Sequence, residues 1–228
     1  MKVAIMQPTY LPWAGYFAMM DRVDQFVLLD DVQFEKRSWQ QRNRIKTANS
    51  LVWLTVPVLT KGKREQLIKD ALIEKSAGFQ EKHIKSMTLN YKKSLCFDHY
   101  SNDLFDILNK DHDKLSELTI ELIKKIKVML GISTKLICSS ELEVNGNKAE
   151  LIARICEELN ATEYLSSPGS EEYIKESDSF TKRNISVDYH RFNNLEYKQN
   201  WGEFVPYLSV IDLLFNIGSD SLNIIRKG

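Results

Sequence analysis

Short apolar runs alternate with amphipathic segments over most of the chain. The runs that predict strands are VAIM (3–6), QFVLLDD (25–31), SLVWLTVPV (50–58), TKLICSSEL (134–142), TEYLSS (162–167) and ISVDYHRF (185–192). Between them lie segments with helical spacing, namely GYFAMMDRVD (15–24), NKAELIARICEELN (147–160) and PYLSVIDLLFNIG (206–218). Because parallel strands need crossovers, this alternation predicts an α/β, Rossmann-like fold with a mostly parallel sheet and helices on both faces.

A long helical stretch interrupts the alternation between Ala77 and Gly131. It contains HIKSMTLNYKKS and DLFDILNKDHDKLSELTIELIKKIKVMLG, and Gly131 is a typical helix C-cap. An apolar stripe over 101–130 favours a place in the core over a protein interface. We therefore expect one domain over residues 1–228, with a helical insertion or cap at about 77–131 packed on it.

Composition narrows the choice of partners. Lys plus Arg and Asp plus Glu are equal at 31 each, so the overall charge favours neither nucleic acid nor an acidic membrane. The three cysteines form no CxxC pair, and we expect neither a disulfide framework nor a structural metal. No apolar stretch approaches 18 residues, which predicts a cytoplasmic protein without a membrane partner.

The first stretch that could bind a ligand is QPTYLPWAGY (7–16), at the end of the first strand. Two prolines stiffen this exit, the glycine permits close approach, and the following helix presents free N–H groups suited to phosphate. The alternative is an aromatic hinge that packs the helix on the sheet. We predict that substrate or phosphate binds Gln7, Pro8, Tyr10, Trp13, Gly15 and Tyr16.

The second stretch, DDVQFEKRSWQQRNRI (30–45), follows the second strand. Its carboxylates could hold magnesium or a substrate amine, and its arginines could clamp phosphate. A solvated basic loop is the alternative. We predict catalytic roles for Asp30, Asp31 and Lys36, and substrate or phosphate binding by Gln33, Trp39, Arg42, Asn43 and Arg44.

The third stretch, YLSSPGSEEYI (164–174), is again a strand-end loop. Ser166, Ser167 and Gly169 are candidates for phosphate binding, although Ser170 could simply cap a helix. Among the four histidines, His83 is a candidate proton acceptor, with a surface or capping role as the alternative. The chain lacks GxSxG, HExxH, GxxxxGK[ST] and GxGxxG, which argues against a serine hydrolase, a zincin, a P-loop protein and a simple dinucleotide-binding protein.

Five segments carry a resemblance to a known family. QPTYLPWAGYF, FVLLDDVQF, KRSWQQRNRI, YLSSPGSEEY and LSVIDLLFNIG closely resemble the WbqC-like family of bacterial surface-polysaccharide gene clusters. The resemblance implies a role in making O-antigen or capsule sugars. It also implies a candidate activity, because the family has been proposed to include a glycine transferase that acylates an amino sugar.

A more distant similarity is to pantothenate synthetase and other HxGH nucleotidylyltransferases. Pro8 and Thr9, Gln33 with the following Phe, and the Ser166–Ser167 pair fall in the order of that fold's loops. Trp13 and Tyr16 stand where the two HxGH histidines would be. The similarity therefore implies the fold, while standard nucleotidyl transfer is not the leading function.

From this we expect amide formation between glycine, or a similar small acyl donor, and the amine of a nucleotide-linked amino sugar. In one route ATP activates the acid, Lys36, Arg42 or Arg44 counters the phosphates, and Asp30 or Asp31 binds Mg²⁺ or the amine. In the other route the donor is already activated, as a thioester or an aminoacyl-tRNA, and Asp31 or His83 takes the amine proton. The alternatives are a non-catalytic nucleotide-sugar-binding protein and an atypical nucleotidylyltransferase.

Overall fold

The computed structural model describes residues 1–228. Its strands are β1 (Lys2–Met6), β2 (Gln25–Leu28), β3 (Arg42–Lys46), β4 (Leu51–Thr55), β5 (Lys135–Cys138), β6 (Glu163–Ser166) and β7 (Ser186–Tyr189). Five of them form one parallel sheet in the order β5-β2-β1-β6-β7. The chain therefore builds outward from β1 in two directions, and the crevice between β1 and β6 is the switch point of the sheet.

Helices cover both faces of this sheet, as predicted. They are α1 (Ala14–Asp21), α2 (Phe79–Tyr91), α3 (Phe97–Asn109), α4 (Leu115–Met129), α5 (Lys148–Glu158), α6 (Glu171–Lys175), α7 (Val210–Ile217) and α8 (Ser221–Lys227). Alternate side chains of β1 point to opposite faces, so Val3 and Ile5 join a 14-residue core with α5 and α6. Ala4 joins the other core, of 40 residues, with the remaining helices.

The predicted helical insertion consists of α2, α3 and α4. The long amphipathic segment is two helices rather than one, because the chain turns between Asn109 and Leu115. Leu104 on α3 and Leu122 on α4 are fully buried, so the apolar stripe belongs to the core. None of the helices combines the length and the apolar character that a membrane span requires.

The prediction of a third strand at 50–58 is confirmed for residues 51–55, but its predicted place in the main sheet is wrong. This segment contains β4, which pairs antiparallel with β3 in a separate two-stranded hairpin. The charge of RNRIK, the sequence of β3, predicts a loop instead of a strand. Its residues alternate between the two faces of the hairpin, with Asn43 and Ile45 buried and the two arginines outward, so charge hid a strand period of two.

Candidate functional site

The carboxyl ends of β1 and β6 open onto a cleft at the switch point. One lobe, the aromatic lobe, has a volume of about 390 Å³ and is lined by Met6, Thr9, Trp13, Tyr16, Trp39, Asn43, Arg44 and Tyr207. The other, the switch-point lobe, has a volume of about 310 Å³, and its polar lining includes Gln7, Glu35, Ser38, Gln40, Ser167, Ser170 and Tyr173. Met6, Thr9 and Trp39 line both lobes, so the two form one cleft.

Trp13 forms the centre of the aromatic lobe. Its ring lies 5.4 Å from the ring of Phe192 in an edge-on arrangement and 5.4 Å from the tilted ring of Tyr207. Tyr16 is almost fully buried, and its hydroxyl donates to the carbonyl of Gln7 at 3.3 Å. These flat faces suit the ring of a base or a sugar.

Gly15 does not lie open to a phosphate, which corrects the expectation of close approach there. A Cβ on this residue would lie 2.2 Å from Cη2 of the Trp13 indole. The space that glycine leaves is therefore occupied by the neighbouring ring. Gly15 serves the aromatic lobe by letting Trp13 pack across the start of α1.

Arg44 is the charged residue of the aromatic lobe. Its guanidinium carbon lies 5.7 Å from the centre of the Trp39 ring, and its Nε is buried without a hydrogen-bond partner. The adjacent Asn43 is fixed by donation to the carbonyl of Leu11 at 2.6 Å. A guanidinium without a carboxylate partner, beside aromatic rings, is suited to a phosphate or carboxylate group.

Amides and hydroxyls line the switch-point lobe. Gln40 donates from Nε2 to Oε1 of Gln7 at 2.9 Å and accepts the backbone N–H of Glu35 at 2.9 Å. The hydroxyls of Ser167 and Ser170 lie 3.3 Å apart. The carboxylate of this lobe belongs to Glu35, which is not among the residues predicted from the sequence.

Asp30 and Asp31 lie outside the cleft, at the junction of β2 and β5. The buried Asp30 carboxylate accepts the Ser139 hydroxyl at 3.2 Å, the Ser140 N–H at 3.0 Å and the Ser140 hydroxyl at 2.7 Å. Asp31 also accepts a hydrogen bond from Ser139. Through these hydrogen bonds the two carboxylates connect the end of β2 to the end of β5. This use of the carboxylate oxygens does not fit the predicted binding of magnesium or an amine.

His83 and Tyr10 form a buried pair outside the cleft. The Tyr10 hydroxyl lies 2.8 Å from Nδ1 of His83, and both residues are nearly inaccessible to solvent. Burial lowers the pKa of His83 to about 4, against a smaller opposing effect of a hydrogen bond to the Thr55 backbone. The structure thus places these two predicted site residues in the core.

Other predicted residues also line neither lobe. Gln33 donates to the carbonyl of Arg64 at 2.9 Å, Ser166 is fully buried, and the guanidinium of Arg42 lies over the Trp53 ring at 4.2 Å. Pro8 is buried, Lys36 is exposed and lines a separate groove, and Gly169 is exposed. The predicted residues that the cleft brings together are Gln7, Trp13, Tyr16, Trp39, Asn43, Arg44 and Ser167.

The cleft also contains residues that sequence reasoning missed. Thr9, Glu35 and Ser170 stand within the three strand-end loops, so their position was a usable signal. No sequence signal pointed to Tyr207, because it comes from the segment between β7 and α7, which follows none of the three strand-end loops. That segment reaches the cleft because the Ser209 N–H donates to the Arg44 carbonyl at 3.0 Å.

Comparison with known proteins identifies the family of the chain. The model of the WbqC-like protein family matches residues 7–224, which include every residue of the aromatic lobe except Met6. A protein of Mycobacterium tuberculosis strain H37Rv, named Uncharacterized protein Rv1507c, is 40% identical over 99% of this chain and 97% of its own length. No solved structure matches the chain. By the extent of the family match, the chain belongs to the WbqC-like protein family.

Proposed function

We propose that the chain is a cytoplasmic transferase or ligase of O-antigen and other surface-polysaccharide biosynthesis. It attaches glycine, or a similar small acyl or aminoacyl group, to the amine of a nucleotide-linked amino sugar. The observation that carries the proposal is the two-lobed cleft at the switch point. One lobe has aromatic walls and an unpaired arginine, and the other has hydroxyls, amides and a carboxylate.

In this proposal the aromatic lobe binds the nucleotide sugar. The rings of Trp13, Trp39 and Tyr207 offer flat apolar surfaces to the base or the sugar. Arg44 binds the diphosphate, because its planar guanidinium donates two parallel hydrogen bonds to phosphate oxygens. The amine of the sugar then extends past Thr9 and Trp39, which both lobes share.

The switch-point lobe receives the acyl donor, and Glu35 accepts the amine proton. It replaces Asp31 and His83 in that role, since both lie outside the cleft. The amine nitrogen attacks the activated carbonyl carbon, the new C–N bond forms as the leaving group departs, and the proton passes from nitrogen to the carboxylate. A positioned general base typically contributes about 10²- to 10⁴-fold to the rate.

The charges of the cleft favour a donor that is already activated. Arg44 is the one cationic residue that lines either lobe, so the cleft fits one phosphate-bearing group better than two. Magnesium is not assigned to any residue: no cluster of three or more His, Cys, Asp or Glu side chains could hold it, and the Asp30 carboxylate already accepts three hydrogen bonds from Ser139 and Ser140. ATP and Mg²⁺ remain candidates for the assay.

Mass spectrometry of a nucleotide-linked 4-amino sugar tests the proposal. The purified protein is incubated with the sugar and, in parallel, with glycine plus ATP and Mg²⁺, a glycyl thioester, or glycyl-tRNA. We expect a glycylated product with at least one donor, and omission of ATP or Mg²⁺ shows whether either is needed. The Glu35→Gln variant should bind the sugar normally and lose about 10²-fold or more in rate. Full activity of this variant would exclude Glu35 as the base.

A second candidate is a non-catalytic protein that binds the same nucleotide sugar. The observation that favours it is the scarcity of ionisable side chains in the cleft, where Arg44 and Glu35 are the charged lining residues. This candidate predicts tight binding of the nucleotide sugar by calorimetry and no product with any of the three donors.

A further inference from the structure

Positive charge is concentrated in one part of a chain whose total charge is zero. Residues 36–64 contain eight Lys or Arg residues and no Asp or Glu, and the excess of acidic residues lies elsewhere. Lys46 is buried and hydrogen-bonded to Gln199 at 3.1 Å. The other seven belong to none of the protein's ion pairs: Lys36, Arg37, Arg42, Arg44, Lys61, Lys63 and Arg64.

Two exposed tryptophans lie among these cations. Trp39 is 47% exposed and Trp53 is 42% exposed, and their ring centres are 5.3 Å apart. Arg42 lies 4.2 Å over the Trp53 ring, and Arg44 lies 5.5 Å from it. The arginines brace the rings from the same face of the hairpin, because β3 and β4 pair Arg44 with Trp53. The result is a solvent-facing aromatic platform of two rings inclined at 45° to each other.

A basic groove adjoins this platform. It has a volume of about 550 Å³ and is lined by Lys36, Arg37, Lys61 and Lys63, together with neutral residues that include Thr55 of β4. Its one carboxylate, Glu74, accepts hydrogen bonds from the N–H and hydroxyl of Ser76 in its own turn. The groove therefore presents four cations to an external anion.

We propose that the platform and the groove together, here called the hairpin face, bind single-stranded nucleic acid. The groove contacts the phosphates, and unstacked bases lie on the tryptophan rings. This pairing of a basic groove with aromatic platforms is how proteins bind single strands without reading sequence. An anionic membrane would satisfy the lysines equally, but it would leave the two exposed rings without a planar partner to stack on.

The hairpin face also leads into the cleft, because Trp39 belongs to both. A strand bound on this face could therefore deliver its end to the switch-point lobe. If the proposed function holds, this is the route for an aminoacyl-tRNA donor. That consequence depends on the proposed function, whereas binding of a single strand does not.

Fluorescence anisotropy with labelled 12-nucleotide probes tests binding separately from any acyl transfer. The probes are a single-stranded RNA, DNA of the same sequence and the RNA duplex. We expect the single strands to bind more tightly than the duplex. With four phosphates neutralised, affinity should fall roughly 50-fold between 50 and 200 mM salt. Equal affinity for RNA and DNA supports recognition of bases and phosphates alone, and preference for RNA adds a contact to the 2′-hydroxyl.

Two variants locate the site. Trp53→Ala should weaken binding about 5-fold or more, the effect of losing one stacked base. Lys61→Glu with Lys63→Glu should weaken it at least as much and flatten the salt dependence by roughly 1.4 in log–log slope. Lys92→Glu with Lys93→Glu, two exposed lysines after α2, is the matched charge control and should bind like the unmodified protein. Melting temperatures identify any variant that does not fold.

Three results would overturn the assignment. The first is absence of single-strand binding, or binding that none of the hairpin-face variants changes. The second is tighter binding of the duplex. The third is binding of phosphatidylserine vesicles or poly-glutamate that depends on Lys61 and Lys63 but not on Trp53, which would assign the face to a membrane or to an acidic polypeptide.

Discussion

Asp30 and Arg44 both belong to the polar stretch that follows β2, yet the structure uses them in different ways. The Asp30 carboxylate is buried and accepts hydrogen bonds from Ser139 and Ser140 at the neighbouring strand end. The Arg44 guanidinium has no carboxylate partner and faces a cavity. Both residues are charged and lie in one polar stretch, and their hydrogen bonding separates the structural group from the candidate ligand-binding group.

His83 belongs with Asp30 in this comparison. It is buried, its Nδ1 is paired with the Tyr10 hydroxyl, and its pKa is lowered by burial. A group whose donors and acceptors are already used stabilises the fold. A polar group left unpaired at the wall of a cavity remains available to a ligand, and this difference makes separate predictions for stability and for binding.

The largest effect is expected for Asp30→Ala. The change removes three hydrogen bonds to a buried carboxylate and leaves the Ser140 donors unpaired, while Ser139 keeps Asp31 as its acceptor, so the free energy of unfolding should fall by about 4 kcal/mol. Urea unfolding followed by circular dichroism measures this loss. The affinity of the folded variant for the nucleotide sugar should stay the same. If the variant were stable but bound the nucleotide sugar more weakly, Asp30 would belong to the binding site after all.

The next effect is a dependence of stability on pH through His83. Its pKa is about 4 in the folded protein and near 6.5 in the unfolded chain, so between these values the unfolded chain binds the extra proton. Stability should therefore fall as pH drops from 6.5 to 4, by at most about 1.4 kcal/mol per pH unit.

Urea midpoints taken every half pH unit test this slope. His83→Gln, which cannot titrate, should show a flatter profile over the same range. The same slope in both proteins would mean that other groups control the acid response.

The centre of the main sheet was predictable because its strands β1 and β2 are buried on both faces. Runs such as VAIM and the core of QFVLLDD are continuously apolar, which is the pattern of a central parallel strand. The hairpin was not predictable in the same way, since its outer face carries Arg42, Arg44 and Trp53 toward solvent. Its apolar period of two was masked by charge, so one strand was read as a loop and its partner as part of the sheet.

The cleft was predictable only where a strand-end loop supplied the residue. Gln7, Trp13 and Ser167 follow β1 and β6, and parallel topology brings such loops to one edge. Tyr207 comes from a segment about two hundred residues away from Gln7, and local pattern carries no information about that contact. The difference between Asp30 and Arg44 depends on the serines after β5, which lie 109 and 110 residues from Asp30 and are also out of reach of local pattern.

A smaller effect, on affinity alone, is expected for Arg44→Ala. Loss of a charge-assisted contact to the diphosphate should weaken nucleotide-sugar binding by about 2 kcal/mol, or roughly 30-fold. Arg42→Ala is the matched control, because Arg42 lies on the same hairpin face but lines neither lobe. Calorimetric titration of both variants should show weaker binding of the nucleotide sugar only for Arg44→Ala. Equal losses would indicate that the hairpin face, rather than the cleft, holds the diphosphate.

The smallest effect is expected at Tyr207, where ligand contact rests on an aromatic ring without charge. The residue is 52% exposed at the rim of the aromatic lobe, with a φ of 59° that holds its ring near Trp13. Tyr207→Ala should therefore lower affinity for the nucleotide sugar by about 1 kcal/mol, while Tyr207→Phe keeps the ring and most of the affinity. Trp201→Ala is a suitable control, because this residue is also aromatic, exposed and at positive φ, but lies outside the cleft. If Trp201→Ala lowered affinity as much as Tyr207→Ala, the effect would come from the segment between β7 and α7 as a whole, and the aromatic lobe would lose its outer wall as a binding element.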